Sequence, residues 1–329
     1  FELNAYEHHV FLDFREVADN YYGQYAQLAQ YLNGRGVPSI EEALQELMLA
    51  PILTPMRELI QKGQLESLYQ ARLLDTKTNF DADLITIHSE KFRHLMESVN
   101  NFIQTQTDVS PIVREENRGL DAILKLPVFE DHFPFPGSVK YAETLAFIQA
   151  GLGTDTWTWY VLFLWNDLRL LGKAITSEPQ FVEISRSWLD EWGISRVVRT
   201  ELESMGLDSG QVYRAETILK LLIRQQNWVT SVPEKTELAL IEAWFSEEEI
   251  RSFVNINRYR GQLWFNKEAF EEMMWWFMTI VLVQLISDPT KSLPEVVEML
   301  FEAYERIKTI LDAEEQSEYQ VEKLLEGLK

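Results

Sequence analysis

MMWWFMTIVLVQLI, residues Met273 to Ile286, is the longest apolar run in the chain, and its reading decides the fold. It spans fourteen residues and contains Thr279 and Gln284. A membrane-crossing helix needs roughly 20 apolar residues, so the run predicts a helix buried in a soluble core. Helical signals continue on both sides of it. Downstream, Leu293, Val296, Val297, Leu300, Phe301, Tyr304 and Ile307 form a stripe at helical spacing. Upstream, Trp157, Trp159, Tyr160, Phe163 and Trp165 crowd one helix as Trp275, Trp276 and Phe277 crowd another. Such stripes are ordinarily core.

Local punctuation agrees. Ser39 with Glu42, Ser246 with Glu249 and Ser292 with Glu295 have capping-box spacing, in which the two side chains satisfy orphaned backbone N–H groups at a helix start. Thr54-Pro55 predicts an N-cap followed by proline at the first helical position. Gly151, Gly153, Gly193 and Gly206 each follow an apolar-periodic segment and predict helix stops. Between Ser177 and Gly210 the helices are expected to be short. In KLPVFEDHFPFPGS, Lys125 to Ser138, closely spaced prolines break any helix. The expectation is an all-α, multi-helical, two-lobed bundle, with lobes at residues 18–130 and 131–329. Residues 1–17 are the exception. Val10, Leu12 and Phe14 alternate with Phe11, Asp13 and Arg15, the period of a strand. A lone strand is not stable in water, so Phe1 to Arg15 is expected to complete a sheet lying upstream.

Composition narrows the chemistry. The 329 residues carry a net charge of -22, which disfavours nucleic acid and anionic membranes as partners and leaves a neutral ligand such as a sugar unaffected. The chain has no cysteine, hence no disulfide, zinc-thiolate site or thiol nucleophile, in keeping with a cytoplasmic location. With 52 acidic residues, carboxylate pairs such as Glu268 and Glu271 arise by chance and read as solvated helix face. His88 and His94 bracket Glu90, but residues six apart do not share a helix face and no HExxH spacing exists, so no metal site is expected. Phosphate-cradling glycine loops and a nucleophile elbow are absent, and no cofactor is expected.

FELNAYEHHVFLDFREV, continuing to YLNGRGVPSIEEALQEL, resembles the boundary that follows the C-terminal β-sandwich in bacterial proteins of the α-amylase superfamily. Leu3, Tyr6, Val10 and Leu12 fit the pattern of that sandwich's last strand. RYRGQLWFNKEAFEEMMWW, Arg258 to Trp276, resembles the helical extension found after the sandwich in large members. The resemblance implies an upstream catalytic barrel and sandwich as partners, α-glucan as a ligand class, and room for oligomer contacts. It brings no catalytic residue. No arginine is followed two residues later by aspartate, and no histidine is followed by Asp or preceded by Asn, so the family's catalytic elements are missing.

One stretch outside the regular helices combines flat aromatic faces with hydrogen-bonding groups. In NINRYRGQLWFN, Asn255 to Asn266, Tyr259 and Trp264 stand beside Asn257, Arg258, Arg260 and Gln262. A sugar ring stacks on such faces, making Tyr259, Trp264, Arg258, Arg260 and Asn257 the candidate carbohydrate-binding residues. The alternative is that Trp264 packs inward while the arginines bond helix C-terminal carbonyls. Three functions stay open: a non-catalytic helical region of an α-amylase-type glycoside hydrolase, which the sequence favours, a carbohydrate-binding module of such an enzyme, or an independent all-α glycosidase.

Overall fold

A computed structural model describes residues 16–21, 23–72, 82–129, 139–153, 155–229 and 236–329. The strand expected at Phe1 to Arg15 lies outside the described residues, as do residues 130–138 of the expected seam. The described chain is all-α apart from one two-stranded hairpin. Contacts divide it into two compact units, residues 1–50 and 51–329.

In the first unit, α1 (Gln24–Leu32) is started by Asp19, whose carboxylate accepts from the Tyr25 and Ala26 amides at 2.9 Å each. Leu28, Ala43 and Leu44 form its small core with Tyr25, Leu32, Val37 and Leu47 packed against them. Residues Ala43 and Leu44 belong to α2 (Ile40–Ile60), which Ser39 caps through a 3.1 Å bond from the Glu42 amide.

The helix start predicted at Thr54-Pro55 does not occur there. Pro51 and Pro55 both lie inside α2. Ile52, Leu53, Met56, Leu59 and Ile60 share a face that is at most 1% exposed, and this burial outweighs the lost proline hydrogen bonds. The Ser246 capping box is also missing, because the Ser246 hydroxyl donates back to the Ala243 carbonyl at 2.6 Å as the last residue of its helix. The Ser292 box is present. Asp208 and Gln211 form another, with aspartate in the Ser/Thr position.

In the second unit the helices are α3 (Lys62–Ala71), α4 (Ala82–Ile103), α5 (Ser110–Lys125), α6 (Val139–Gly151), α7 (Thr156–Leu168), α8 (Phe181–Glu191), α9 (Ile194–Ser204), α10 (Ser209–Arg224), α11 (Glu237–Ser246) and α12 (Glu248–Phe253). Strands β1 (Asn257–Tyr259) and β2 (Gln262–Trp264) follow, then α13 (Lys267–Ser287), α14 (Leu293–Gln316) and α15 (Val321–Gly327). Stops at Gly151, Gly193 and Gly206 fall where expected, and Gly193 and Gly206 adopt positive φ of 67° and 92°.

Two helices carry the core. Every residue of α7 from Thr158 to Leu168 is buried, enclosed by α3, α5 and α10. Helix α13 holds the opening run, buried continuously from Met273 to Val283, and packs on α5, α6, α10 and α14. It is the only described helix long and apolar enough to cross a membrane, but 78% of its apolar window is buried inside the protein, as a soluble core helix requires. Apart from the half-buried Trp157, the crowded aromatics of α7 and α13 are core, not a binding platform.

Candidate functional site

Helices α4, α5 and α7 each place one ionisable side chain on their shared buried seam. His88, Glu116 and Asp167 are all 0% exposed. His88 Nε2 lies 3.1 Å from Asp167 Oδ1 and 3.5 Å from Glu116 Oε1. Close helix approach makes room for this. A Cβ on Gly119 of α5 would run into the Asn166 side chain of α7, so glycine is required at that crossing. Asn166 then donates through Nδ2 to the Glu116 carbonyl at 2.8 Å, and Ser89 Oγ donates to Glu116 Oε2 at 3.3 Å.

Electrostatics follow from sealing. Burial pushes the Glu116 carboxyl up to about 8, with the His88 charge opposing and the Asp167 charge adding to the rise. Burial acts to drive the proton from His88, but the adjacent Asp167 charge and hydrogen bond outweigh it, and the imidazole pKa lies above its ordinary value. Near neutral pH the cluster therefore holds a protonated Glu116.

Three ligand-type side chains whose donor atoms lie within 4.8 Å of one another could in principle hold a cation. Their surroundings do not fit one. Lys91 Nζ donates to Gln64 Oε1 at 2.9 Å, which turns the Gln64 amide nitrogen toward His88 Nδ1 at 3.5 Å. In the neutral imidazole Nδ1 is thereby the acceptor and the ring hydrogen sits on Nε2, directed at Asp167, and in the imidazolium Nε2 carries hydrogen as well. A metal-bound imidazole needs the opposite, a bare Nε2 with Nδ1–H donating to an acceptor. The arrangement is a proton-sharing network. A hydrolytic carboxyl pair must also admit a sugar between its members, and full burial of Glu116 and Asp167 excludes that here.

A second ring of charge covers the cluster on one side. Arg169, just past α7 and 3% exposed, donates to Glu115 Oε1 at 3.2 Å, and Lys173 Nζ donates to Glu115 Oε2 at 2.5 Å. Burial acts to raise the Glu115 pKa, but the Arg169 and Lys173 charges outweigh it and hold the carboxyl below its ordinary value. These residues line a cavity of about 350 Å³ with Arg118, Gln226, Gln284 and Asp288.

The sequence-derived candidates lie elsewhere, together on the β1–β2 hairpin. The strands are antiparallel, with Asn257 opposite Trp264 and Tyr259 opposite Gln262. The connecting residues Arg260 and Gly261 have φ of 49° and 87°, the double positive φ of a tight two-residue hairpin turn. Asn257, Arg258, Tyr259 and Arg260 are exposed, and Trp264 is half-buried. Tyr259 is 58% exposed with the Arg260 guanidinium 5.2 Å from its ring centre. Trp264 Nε1 donates to the Tyr259 carbonyl at 3.4 Å, and its backbone bridges to Gln320. Arg258 donates to the Gly261 carbonyl at 3.5 Å, within the hairpin and not to a helix end.

No protein-family model, no curated protein and no solved structure matches this chain.

Sequence reasoning weighed His88 only against His94, which is exposed on the far side of α4. The true partners are 28 and 79 positions away. A signal existed: Asn166-Asp167 interrupts the apolar run TWTWYVLFLW, and Glu116 lies one turn from Gly119 on the apolar face of α5. Glu268 and Glu271, read as solvated face, are exposed on α13, where Glu271 pairs with Lys267 at 3.6 Å.

Proposed function

We propose that this chain is a non-catalytic helical region of an α-amylase-type glycoside hydrolase, acting by positioning the parent enzyme through contacts with its catalytic barrel and β-sandwich, or between copies of it. The resemblance of residues 1–47 and 258–276 to that superfamily supports the reading, together with the absence of its catalytic elements from the sequence. One structural observation carries the non-catalytic part. Glu116 and Asp167, the buried acids with the shifted proton, are both 0% exposed and knitted to His88, so no substrate reaches them. In this reading residues 1–17 end a sandwich, the bundle is an appendage in two lobes, and the parent enzyme works in the cytoplasm on α-glucan.

Two measurements test it. The purified chain, incubated with starch, maltooligosaccharides and trehalose, should release no reducing sugar above buffer. Turnover abolished by changing one acidic residue would overturn the reading. The coding sequence upstream of Phe1 should contain a barrel with a Gly-x-Arg-x-Asp segment followed by a sandwich, and a different upstream domain would refute the family assignment.

A second reading, carbohydrate binding, is favoured by the exposed Tyr259 ring beside Arg260 on the hairpin. Calorimetric titration with maltooligosaccharides decides it, and no binding heat at millimolar sugar would end it.

A further inference from the structure

Arg118 of α5 is tethered at one end and open at the other. Its Nε donates at 3.0 Å to the carbonyl of Ser287, the last residue of α13, while its two terminal nitrogens make no hydrogen bond among the described residues. Arg118 belongs to the wall of the 350 Å³ cavity that Arg169 and Lys173 also line. Three cations thus face one cavity against two carboxylates, Glu115 and Asp288. Glu115 is consumed by Arg169 and Lys173. Asp288 accepts from Thr290 N at 2.9 Å and Thr290 Oγ1 at 2.7 Å, and although burial acts to raise its pKa, these bonds and the nearby Lys291 and Arg118 charges hold the carboxyl below its ordinary value. The cavity therefore keeps a local positive surplus in a chain whose net charge is -22.

A forked guanidinium with free terminal nitrogens matches the two oxygens of a carboxylate or phosphate. The cavity volume lies within the range of small-molecule sites. It also shares Arg118, Ser287 and Pro289 with a neighbouring cavity of about 310 Å³, so a ligand longer than the anion has space to extend.

We propose that this cavity, walled by Arg118, Arg169, Lys173 and Gln226, binds a small organic oxyanion: a compact molecule carrying one phosphate or carboxylate group for Arg118, with its body extending toward the neighbouring cavity. The site is separate from the hairpin and does not depend on the parent enzyme's identity.

The test is calorimetric titration of the purified chain in a phosphate-free buffer at ionic strength fixed with NaCl. The probes are inorganic phosphate, glucose 6-phosphate, gluconate and, as the neutral control, glucose. Saturable binding of glucose 6-phosphate or gluconate, absent for glucose, is expected. Preference for the ester or the carboxylate assigns the anionic group. Arg118→Gln should weaken binding at least tenfold, and Arg118→Lys, which keeps charge without the fork, should fall between. Circular dichroism and melting of each variant separate lost binding from lost fold. Binding of neither anion by the unmutated chain, glucose binding equal to that of the anions, or undiminished binding by folded Arg118→Gln would each overturn the proposal. Binding of inorganic phosphate alone would also do so, because nothing would then occupy the neighbouring cavity.

Discussion

Asp167 accepts a hydrogen bond from His88 at 3.1 Å across 79 residues of chain, and neither side chain touches solvent. This one bond ties α4 to α7 at the centre of the bundle. Removing one partner of a buried pair leaves the other desolvated and uncompensated, which typically costs about 3–5 kcal/mol. Asp167→Ala should therefore unfold at markedly lower urea concentration, with an unchanged slope. A loss below about 1 kcal/mol would mean that the bond contributes little.

Glu116 should make stability depend on pH in a particular direction. Its folded pKa is raised from about 4.5 up to about 8, so between these values the folded state holds a proton that the unfolded state has released. Stability from this group is present below about pH 4.5 and is lost as pH rises toward 8, at most about 1.4 kcal/mol per pH unit for one proton. His88, also raised, acts with the same sign, its contribution full below its unfolded value and lost through its folded one. Glu116→Gln mimics the protonated acid. The variant should match the unmutated chain near pH 5 and exceed it in melting temperature at pH 8.5. Parallel pH profiles for the two proteins would contradict a protonated Glu116.

The same network carries a statement about metal. With Gln64 Nε2 turned to His88 Nδ1 by Lys91, the imidazole presents hydrogen, not a lone pair, to Asp167. Dialysis against EDTA should leave the melting temperature unchanged, and elemental analysis should find no stoichiometric zinc, manganese or iron. A melting temperature that falls with EDTA and returns with one of these ions would show that Gln64 is turned the other way.

Gly151 is fixed by packing, not by backbone conformation. A Cβ there would enter the Trp275 indole, which is anchored by Nε1 donating to the Ile148 carbonyl at 2.9 Å. Gly151→Ala should cost roughly 1–3 kcal/mol by overpacking. Gly153, with no atom within 4 Å of its would-be Cβ, is the control, and Gly153→Ala should be near neutral. Equal effects at both positions would remove the packing argument.

These particulars mark what the sequence could and could not supply. The run at Met273, the stripe of α14 and the stops at Gly193 and Gly206 were legible because each signal is local, a matter of spacing or of one backbone angle. Thr54-Pro55 misled because the local cost of proline inside a helix is outweighed by burial that only the folded core provides. The His88 cluster was illegible as a cluster because three helices bring its members together. Only the polar pair Asn166-Asp167 inside an apolar helix hinted that something there needed a partner. The hairpin was half legible: Gly261 marked the turn, but its strands of three residues are too short to show a period.

On that hairpin, stability and binding should separate by residue. Trp264 is half-buried, its indole bonded to the Tyr259 carbonyl and its strand held to the segment before α15 by the bridge to Gln320. The neighbouring Phe265 amide adds a 3.1 Å bond to the Tyr319 carbonyl. Trp264→Ala should therefore loosen the docking of the C-terminal helix and cost about 1–2 kcal/mol, less than the ~3–5 of a fully buried tryptophan. Tyr259 is 58% exposed, and Tyr259→Ala should change stability by no more than about 0.5 kcal/mol. If the hairpin is a sugar platform, that same neutral change removes the stacking face and abolishes maltooligosaccharide binding at unchanged melting temperature. Binding that survives Tyr259→Ala and disappears only with the fold in Trp264→Ala would place the sugar elsewhere and leave the hairpin a structural clasp.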